Sequence, residues 1–442
     1  MRGAYAAVKA LVFPALALAF FSTNLSADEM LIMGPPVATT AQNAAARTVA
    51  FPAAYGPFQF DAKIEKRVSF WVNVYMKYHS WETVIHDVKY PWLVYGEVNT
   101  SKSKSAASIE KARVIALLRR TSAKQKEIAA GTMSRDKLRA DEEKMLQLFE
   151  MHNLVGELAA AADSRRVRGQ AGLRDALEDS LFVSGRYLPR MEKVFESFNL
   201  PPEIAYLPFV ESGFNKKAVS KVGASGIWQF MPYTGKLYLR VDEEVDERND
   251  PMRAAEAAAR LMRQNFAALG SWPLAVTAYN HGTAGMGRAV KEVGTTEISE
   301  IIAKYESKSF GFASQNFYSC FLAALHVAKN SAQYLGEIPR ARKLEFDEFV
   351  MPDYVDIHVL LEKMEIEETM FRELNPALTQ EVYSGRRYIP VGYTIRVPVE
   401  ARANFFARYE SIPPEQKFRE QKSVMGPTPA SLVSTGAAAK AN

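Results

Sequence analysis

Hydrophobic residues recur at helical spacing along most of this chain. Val68, Trp71, Val72, Tyr75 and Tyr78 fall on one helical face, and the aromatic, β-branched stretch 81–98, interrupted by Pro91, predicts a small strand or hairpin element behind that helix. Residues 103–165 are rich in Lys, Glu, Ala and Leu with few breakers, which predicts two or three surface helices whose charges form a solvated face. A further helical tract opens at Arg168-Gly169-Gln170 and carries Leu173, Leu177, Leu181 and Phe182; residues 187–198 predict the next helix. Residues 201–335 set Gly, aromatic and polar punctuation among helices, as expected where loops carry function on a helical scaffold. Behind them the order is strand (346–350), helix (355–364), helix (368–374), strand (393–397), then a short amphipathic helix from Glu400 and an Ala/Ser tail that reads as disordered. The expected fold class is mainly α, with a small β element early and a small α+β module late.

The organisation that follows is a leader at 1–27, a linker at 28–59, a helical N-terminal region at 60–199, a catalytic domain at 200–337, a small module at 344–399 and a tail at 400–442. The leader has Arg2 and Lys9 ahead of an apolar run from Ala10 to Phe21 and ends in Leu25-Ser26-Ala27, so export with cleavage after Ala27 is expected. The run is broken by Pro14 and is shorter than the roughly 20 apolar residues of a spanning helix. The linker shows neither helical nor strand periodicity.

Composition agrees with a soluble globular protein: 48% hydrophobic and 24% charged residues in a chain of 442, long enough for two or three units. The net charge of +5 falls to +3 without the leader, too small an excess to argue for nucleic acid. No cysteine lies near the leader, so a lipid-modified N-terminus is not expected; Cys320, beside Phe321, Leu322 and Leu325, reads as a buried, inert thiol. With no H-E-x-x-H, no cysteine pair, no phosphate loop and six scattered histidines, neither metal nor cofactor is expected.

The chemistry concentrates after Leu200. Pro201-Pro202-Glu203 opens a helix on which Ile204, Leu207 and Val210 form an apolar stripe, and Glu211 lies on or beside that stripe. A carboxyl aimed inward has its charged form disfavoured, so its pKa rises toward the range a general acid needs. The same position also suits a helix-end glutamate bonded to the turn Ser212-Gly213. Next comes Gly223-Ala224-Ser225-Gly226-Ile227-Trp228-Gln229-Phe230-Met231, where glycines allow close backbone approach and Gln229 offers donor and acceptor beside aromatic surface, a mixture suited to a sugar. Trp228 equally suits a core position. Then Trp272 to Gly282 predicts a helix ending in a polar cluster with Tyr279 and Asn280, and Gln315-Asn316-Phe317-Tyr318 opens an apolar helix from which Tyr318 can reach the same place. Asp242, Asp246 and Asp250 are the available second acids, though surface or capping roles fit them.

The order Glu211-Ser212, then Gly223 through Pro232, then Ala278-Tyr279-Asn280, resembles the family 1 lytic transglycosylases over about 135 residues, extended upstream by Gly185-Arg186-Tyr187-Leu188-Pro189. The resemblance implies a goose-lysozyme-like helical catalytic domain in the cell envelope or periplasm, acting on peptidoglycan glycan strands, with cell-wall synthesis or division proteins as further partners. It implies Glu211 as sole catalytic carboxyl, Ser212, Gln229, Tyr279 and Asn280 as substrate contacts, and Tyr318 as the residue that orients the glutamate. Ser314-Gln315-Asn316 departs from the Glu-Thr-Arg usual in such proteins, which bears on the surroundings of Tyr318; His281 after Asn280 is also unusual and reads as exposed. Residues 354–398 resemble a degenerate LysM module without its usual Gly-Asp-Thr turn. A water-using hydrolase of lysozyme type, and a noncatalytic wall-binding protein, remain the competing functions.

Overall fold

The computed structural model describes residues 51–60 and 62–422; the expected leader and the Ala/Ser tail lie outside them. Two compact units emerge: one combines the chain up to Leu239 with Arg248–Lys343, the other combines Arg240–Glu247 with the chain from Leu344. The segments read from sequence as 60–199 and 200–337 thus belong to one unit.

That unit begins with a hairpin, β1 (Ala54–Tyr55) and β2 (Phe58–Gln59), then α1 (Ala62–Met76), β3 (Glu82–Asp87), β4 (Val94–Asn99), α2 (Ala106–Ala129) and α3 (Ala140–Met151). On α1 the stripe Ile64, Val68, Trp71, Val72 and Tyr75 is buried, as its periodicity predicts. Residues 51–59 correct the linker reading. Phe58 is fully buried, with its ring 5.1 Å from that of Phe321, and the Tyr55 hydroxyl meets His326 Nδ1 at 3.0 Å and accepts from Asn330 Nδ2 at 2.8 Å. A pair of two-residue strands is too short to leave a periodic signal; its order comes from what it packs against.

β3 is the middle strand of an antiparallel sheet ordered β4-β3-β5, where β5 is Val167–Ala171. This corrects the helix start that the sequence predicts at 168–170. Backbone N–H and C=O groups on the second edge of a buried strand need partners, and β5 supplies them. The helix α4 (Arg174–Ser184) starts only afterwards, followed by α5 (Leu188–Ser197). Asp87, wholly buried, closes the β3–β4 connection by accepting from the Lys89 and Tyr90 amides, the Tyr95 hydroxyl, and Nε and Nη2 of Arg166.

Six further helices form the scaffold of the site: α6 (Pro208–Glu211), α7 (Pro251–Leu269), α8 (Trp272–His281), α9 (Thr283–Val293), α10 (Ile298–Lys304) and α11 (Phe312–Lys329). α7 starts where Asp250 accepts from the Met252 and Arg253 amides, with Pro251 in the first turn, and stops at Gly270 in the left-handed conformation. Its buried alanines allow α8 to approach closely, and Asn265 Nδ2 donates to the Ala275 carbonyl. α11 is buried almost all round, and α1, α8 and α6 lie against it.

The second unit pairs β6 (Phe346–Val350) antiparallel with β7 (Thr394–Pro398); α12 (Ile357–Met364) and α13 (Glu368–Leu374) lie between them in sequence, and α14 (Phe405–Glu410) follows. The strand, helix, helix, strand order is the expected one. Its core joins Ile357, Leu360, Phe371, Ile395, Val397 and Phe405, and takes in Val245 from the 240–247 segment.

Candidate active site

Residues 202–206 form a single 3-10 stretch, α6 follows, and Glu211 is its last residue. The chain then turns sharply: Gly213 and Phe214 both adopt positive φ, and the Ser212 amide returns to the Pro208 carbonyl. Glu211 keeps part of its surface exposed, yet burial pushes its carboxyl up to about 8. Among the described residues no cation pairs with it and no side chain donates to it, so nothing offsets the loss of hydration. At neutral pH the carboxyl is mostly protonated.

The glycine-rich segment wraps this helix end. Isolated bridges join Val219 to Ser225 and Ser225 to Phe230, and Gly226 sits at φ +73° so close to Arg248 that an added Cβ would lie 1.9 Å from the Arg248 carbonyl oxygen. Only glycine fits there. Arg248 Nη1 donates to the Gly223 and Phe230 carbonyls, and Ser225 Oγ donates to Asn249 Oδ1. Arg248 therefore holds the turn shut, a role hidden in sequence because it lies in a charged run with no motif around it.

Ser212 and Gln229 direct hydrogen bonds into this turn: Ser212 Oγ donates to the Ile227 carbonyl at 2.8 Å, and Gln229 Nε2 to the Ala218 and Gly226 carbonyls at 3.0 and 2.8 Å. Both are buried, and Gln229 has φ +49°. Tyr279, near the end of α8, donates from its hydroxyl to the Trp228 carbonyl at 2.8 Å. Trp228 itself is fully buried, its indole nitrogen donating to the Pro251 carbonyl, so it is core and offers no face to a sugar. Asn280 is partly exposed and accepts from Ser314 Oγ at 2.8 Å. Tyr318, nearly fully buried, points its hydroxyl at the Gln59 carbonyl at 3.4 Å among its contacts.

The three residues that depart from the family pattern all have work in the structure. Besides Ser314 on Asn280, Gln315 Nε2 donates to the Phe310 carbonyl, and fully buried Asn316 accepts from Arg67 and Trp71 while donating to the Phe312 carbonyl. His281 corrects the expectation of exposure: it is only 8% exposed, its ring lies edge-on to Phe310 and fills the space over Gly285, and burial lowers its pKa. Of the second acids, Asp250 caps α7, and Asp242 accepts from the Glu244 and Val245 amides within its own turn.

Two phenols share the electrostatic surroundings of Glu211. Burial and the Glu211 charge both hold Tyr279 and Tyr75 well above the ordinary tyrosine range. Tyr75, from α1, is the residue that sequence reasoning missed; its helical period marked it only as core. Cys320 is buried as expected, and burial raises its thiol. Among the described residues no cluster of His, Cys, Asp or Glu is arranged to hold a metal ion, and no helix is long and apolar enough to cross a membrane.

Residues 195–302 match the family model described as the transglycosylase SLT domain. Over 143 residues the chain is 34% identical to membrane-bound lytic murein transglycosylase D of Escherichia coli, a stretch that makes up 32% of this chain and 31% of that protein. The chain thus spans under a third of that relative's length. Among solved structures, an inactive mutant of lytic transglycosylase Slt from Pseudomonas aeruginosa aligns with a TM-score of 0.28 and 16% identity, over 44% of this chain and 31% of the other.

Proposed function

Because residues 195–302 place this chain among the proteins that carry a transglycosylase SLT domain, we propose that it is a lytic transglycosylase of the cell envelope that cleaves peptidoglycan glycan strands. The observation that carries the reading is Glu211: a carboxyl raised to about 8 by burial alone, at a helix end framed by a glycine-rich turn.

Protonated Glu211 donates to the glycosidic oxygen between N-acetylmuramic acid and N-acetylglucosamine. As that bond breaks, positive charge develops at C1 of the muramoyl unit, and a hydrolase then calls on a second carboxylate or an activated water. Here the muramoyl C6 hydroxyl attacks C1, its proton passes to the Glu211 carboxylate, and a 1,6-anhydro end forms without water. The glutamate finishes in the state in which it began. Burial serves both halves, keeping the acid protonated at the start and its conjugate base strong enough to take the proton back.

The other residues divide by their bonding. Ser212, Gln229 and Tyr279 stiffen the turn that faces Glu211, so they shape the sugar site through the backbone as well as touching substrate. Asn280 keeps its amide NH₂ for an N-acetyl or hydroxyl group, and Tyr318 acts from the buried side. The second unit serves as a LysM-like module, a reading supported by its strand, helix, helix, strand order; glycan binding and a structural appendage are both open to it. Export follows from the leader at 1–27.

The test is digestion of purified sacculi in ¹⁸O-labelled water, with mass spectrometry of the released muropeptides. Anhydro ends free of label are the expected product; labelled reducing ends would make the protein a lysozyme-type hydrolase, and sacculus binding without release would leave it a wall-binding protein.

A further inference from the structure

Four large hydrophobic side chains stand exposed in the short stretch 219–237: Val219 at 63%, Val222 at 41%, Tyr233 at 60% and Leu237 at 61%. The fold gathers them. Gly223 lies against Pro232, where an added Cβ would stand 3.6 Å from the proline ring, so the tip of the glycine-rich turn and the helical turn Pro232–Gly235 are neighbours. Helical bonding continues past Gly235, with the Lys236 amide on the Pro232 carbonyl and the Leu239 amide on the Gly235 carbonyl, which sets Tyr233 and Leu237 one turn apart on the same side. Arg248, bonded to the Gly223 and Phe230 carbonyls, holds the two pieces together.

Charge follows the same stretch. From Ser212 to Val241 the chain has no Asp or Glu, yet it carries Lys216, Lys217, Lys221, Lys236 and Arg240. Lys221 precedes Val222 and Lys236 precedes Leu237; both lysines are exposed and make no ion pair among the described residues. A sugar finds little to hold here. Val219, Val222 and Leu237 are aliphatic and give a pyranose no flat face, and the Ser220 hydroxyl accepts from the Ala224 amide within the turn. A lipid headgroup layer meets each feature: aliphatic side chains enter the acyl boundary, a tyrosine ring suits the interface, and lysines pair with phosphate. The turn is already fixed by Arg248 and by the close packing of Gly226, so docking requires little further ordering of the backbone.

We infer that this face, Val219, Val222, Tyr233 and Leu237 with Lys221 and Lys236, docks on an anionic lipid bilayer. The contact goes beyond the transglycosylase reading and does not rest on it, since none of these side chains takes part in the chemistry. The same glycine-rich turn frames Glu211, so docking sets the candidate active site close to the bilayer surface.

The experiment reads the patch locally. The full-length Val222→Cys variant takes a polarity-sensitive nitrobenzoxadiazole label at position 222, because Cys320 is buried, and the emission is followed as vesicles are added. Vesicles of phosphatidylethanolamine with phosphatidylglycerol should shift the emission to the blue and raise it several-fold. Phosphatidylcholine vesicles should not, and about 0.5 M salt should reverse the shift by screening the lysines. Adding Tyr233→Glu with Leu237→Glu, or Lys221→Glu with Lys236→Glu, should weaken vesicle binding at least about tenfold, while the unfolding midpoint stays that of the parent, as exposed positions allow. Each pair decides by itself should the other fail to fold. No blue shift on the anionic vesicles overturns the proposal, as does an equal shift on phosphatidylcholine. A shift produced by glycan fragments from digested sacculi and not by vesicles would assign the face to the glycan instead, and overturns it too. Activity does not enter the readout, so a wild type that releases no anhydro product overturns the functional reading alone.

Discussion

The hydroxyl of Tyr279 donates a 2.8 Å hydrogen bond to the main-chain carbonyl of Trp228. Through it the end of α8 is tied to the glycine-rich turn that also receives Ser212 from the end of α6. Removing the hydroxyl leaves that carbonyl without its donor, so Tyr279→Phe is expected to cost about 1–2 kcal/mol in urea unfolding and to lower activity by loosening the turn. A variant as stable as wild type would show that the bond contributes little.

Glu211 makes stability depend on pH in a defined direction. Below about pH 4.5, its ordinary value, the carboxyl is protonated in both folded and unfolded chains and pH has no hold through it. Above that the unfolded chain ionises while the folded one keeps its proton, so folding loses stability until the pH passes about 8. Glu211→Gln removes the penalty. Its advantage over wild type in thermal or urea unfolding should be absent near pH 4 and grow to about 2–4 kcal/mol at pH 8, and wild-type activity should decline above that pH. An advantage independent of pH would mean that the carboxyl is not raised.

At Gly226, alanine meets two obstacles at once: a positive φ and the Arg248 carbonyl 1.9 Å from the new methyl group. Gly226→Ala should lose roughly 4 kcal/mol or more together with activity, seen as a lower melting temperature and failed sacculus digestion. Gly270→Ala provides the contrast, since nothing lies within 4 Å of a Cβ there and only the φ strain applies.

The hairpin at 54–59 is predicted to be part of the folded unit and not a tether. Phe58→Ala empties a site lined by Trp272 and Phe321 and should cost about 3–5 kcal/mol. Urea unfolding checks this, and a shift under 1 kcal/mol would return residues 51–59 to linker status.

Much of this was legible in the sequence, for reasons that particular residues make clear. α1 announces itself by a periodic stripe and α11 by an apolar run buried almost all round, and the second unit by its strand, helix, helix, strand order. Glu211 drew notice as a carboxyl on an apolar stripe, and its raised pKa follows from that placement. The hairpin at 54–59 and strand β5 left no such trace, since each is ordered by partners distant in sequence. Arg248 stayed hidden for the same reason: it looks like any surface arginine until the fold brings the Gly223 carbonyl to it. His281, which reads as exposed, is buried, because a residue beside a polar motif can still point into the core; Trp228 takes the core position that the sequence leaves open to it.

The central claim is that one carboxyl, Glu211, does the work of acid and base. Wild type and Glu211→Gln, both verified as folded, are incubated with sacculi at neutral pH and the anhydro-muropeptides quantified. The amide matches the carboxyl in size but neither donates an acidic proton nor takes one back, so release should fall at least about 10³-fold while binding to sacculi persists. Release of anhydro-muropeptides by the variant at a rate close to that of wild type would contradict the account.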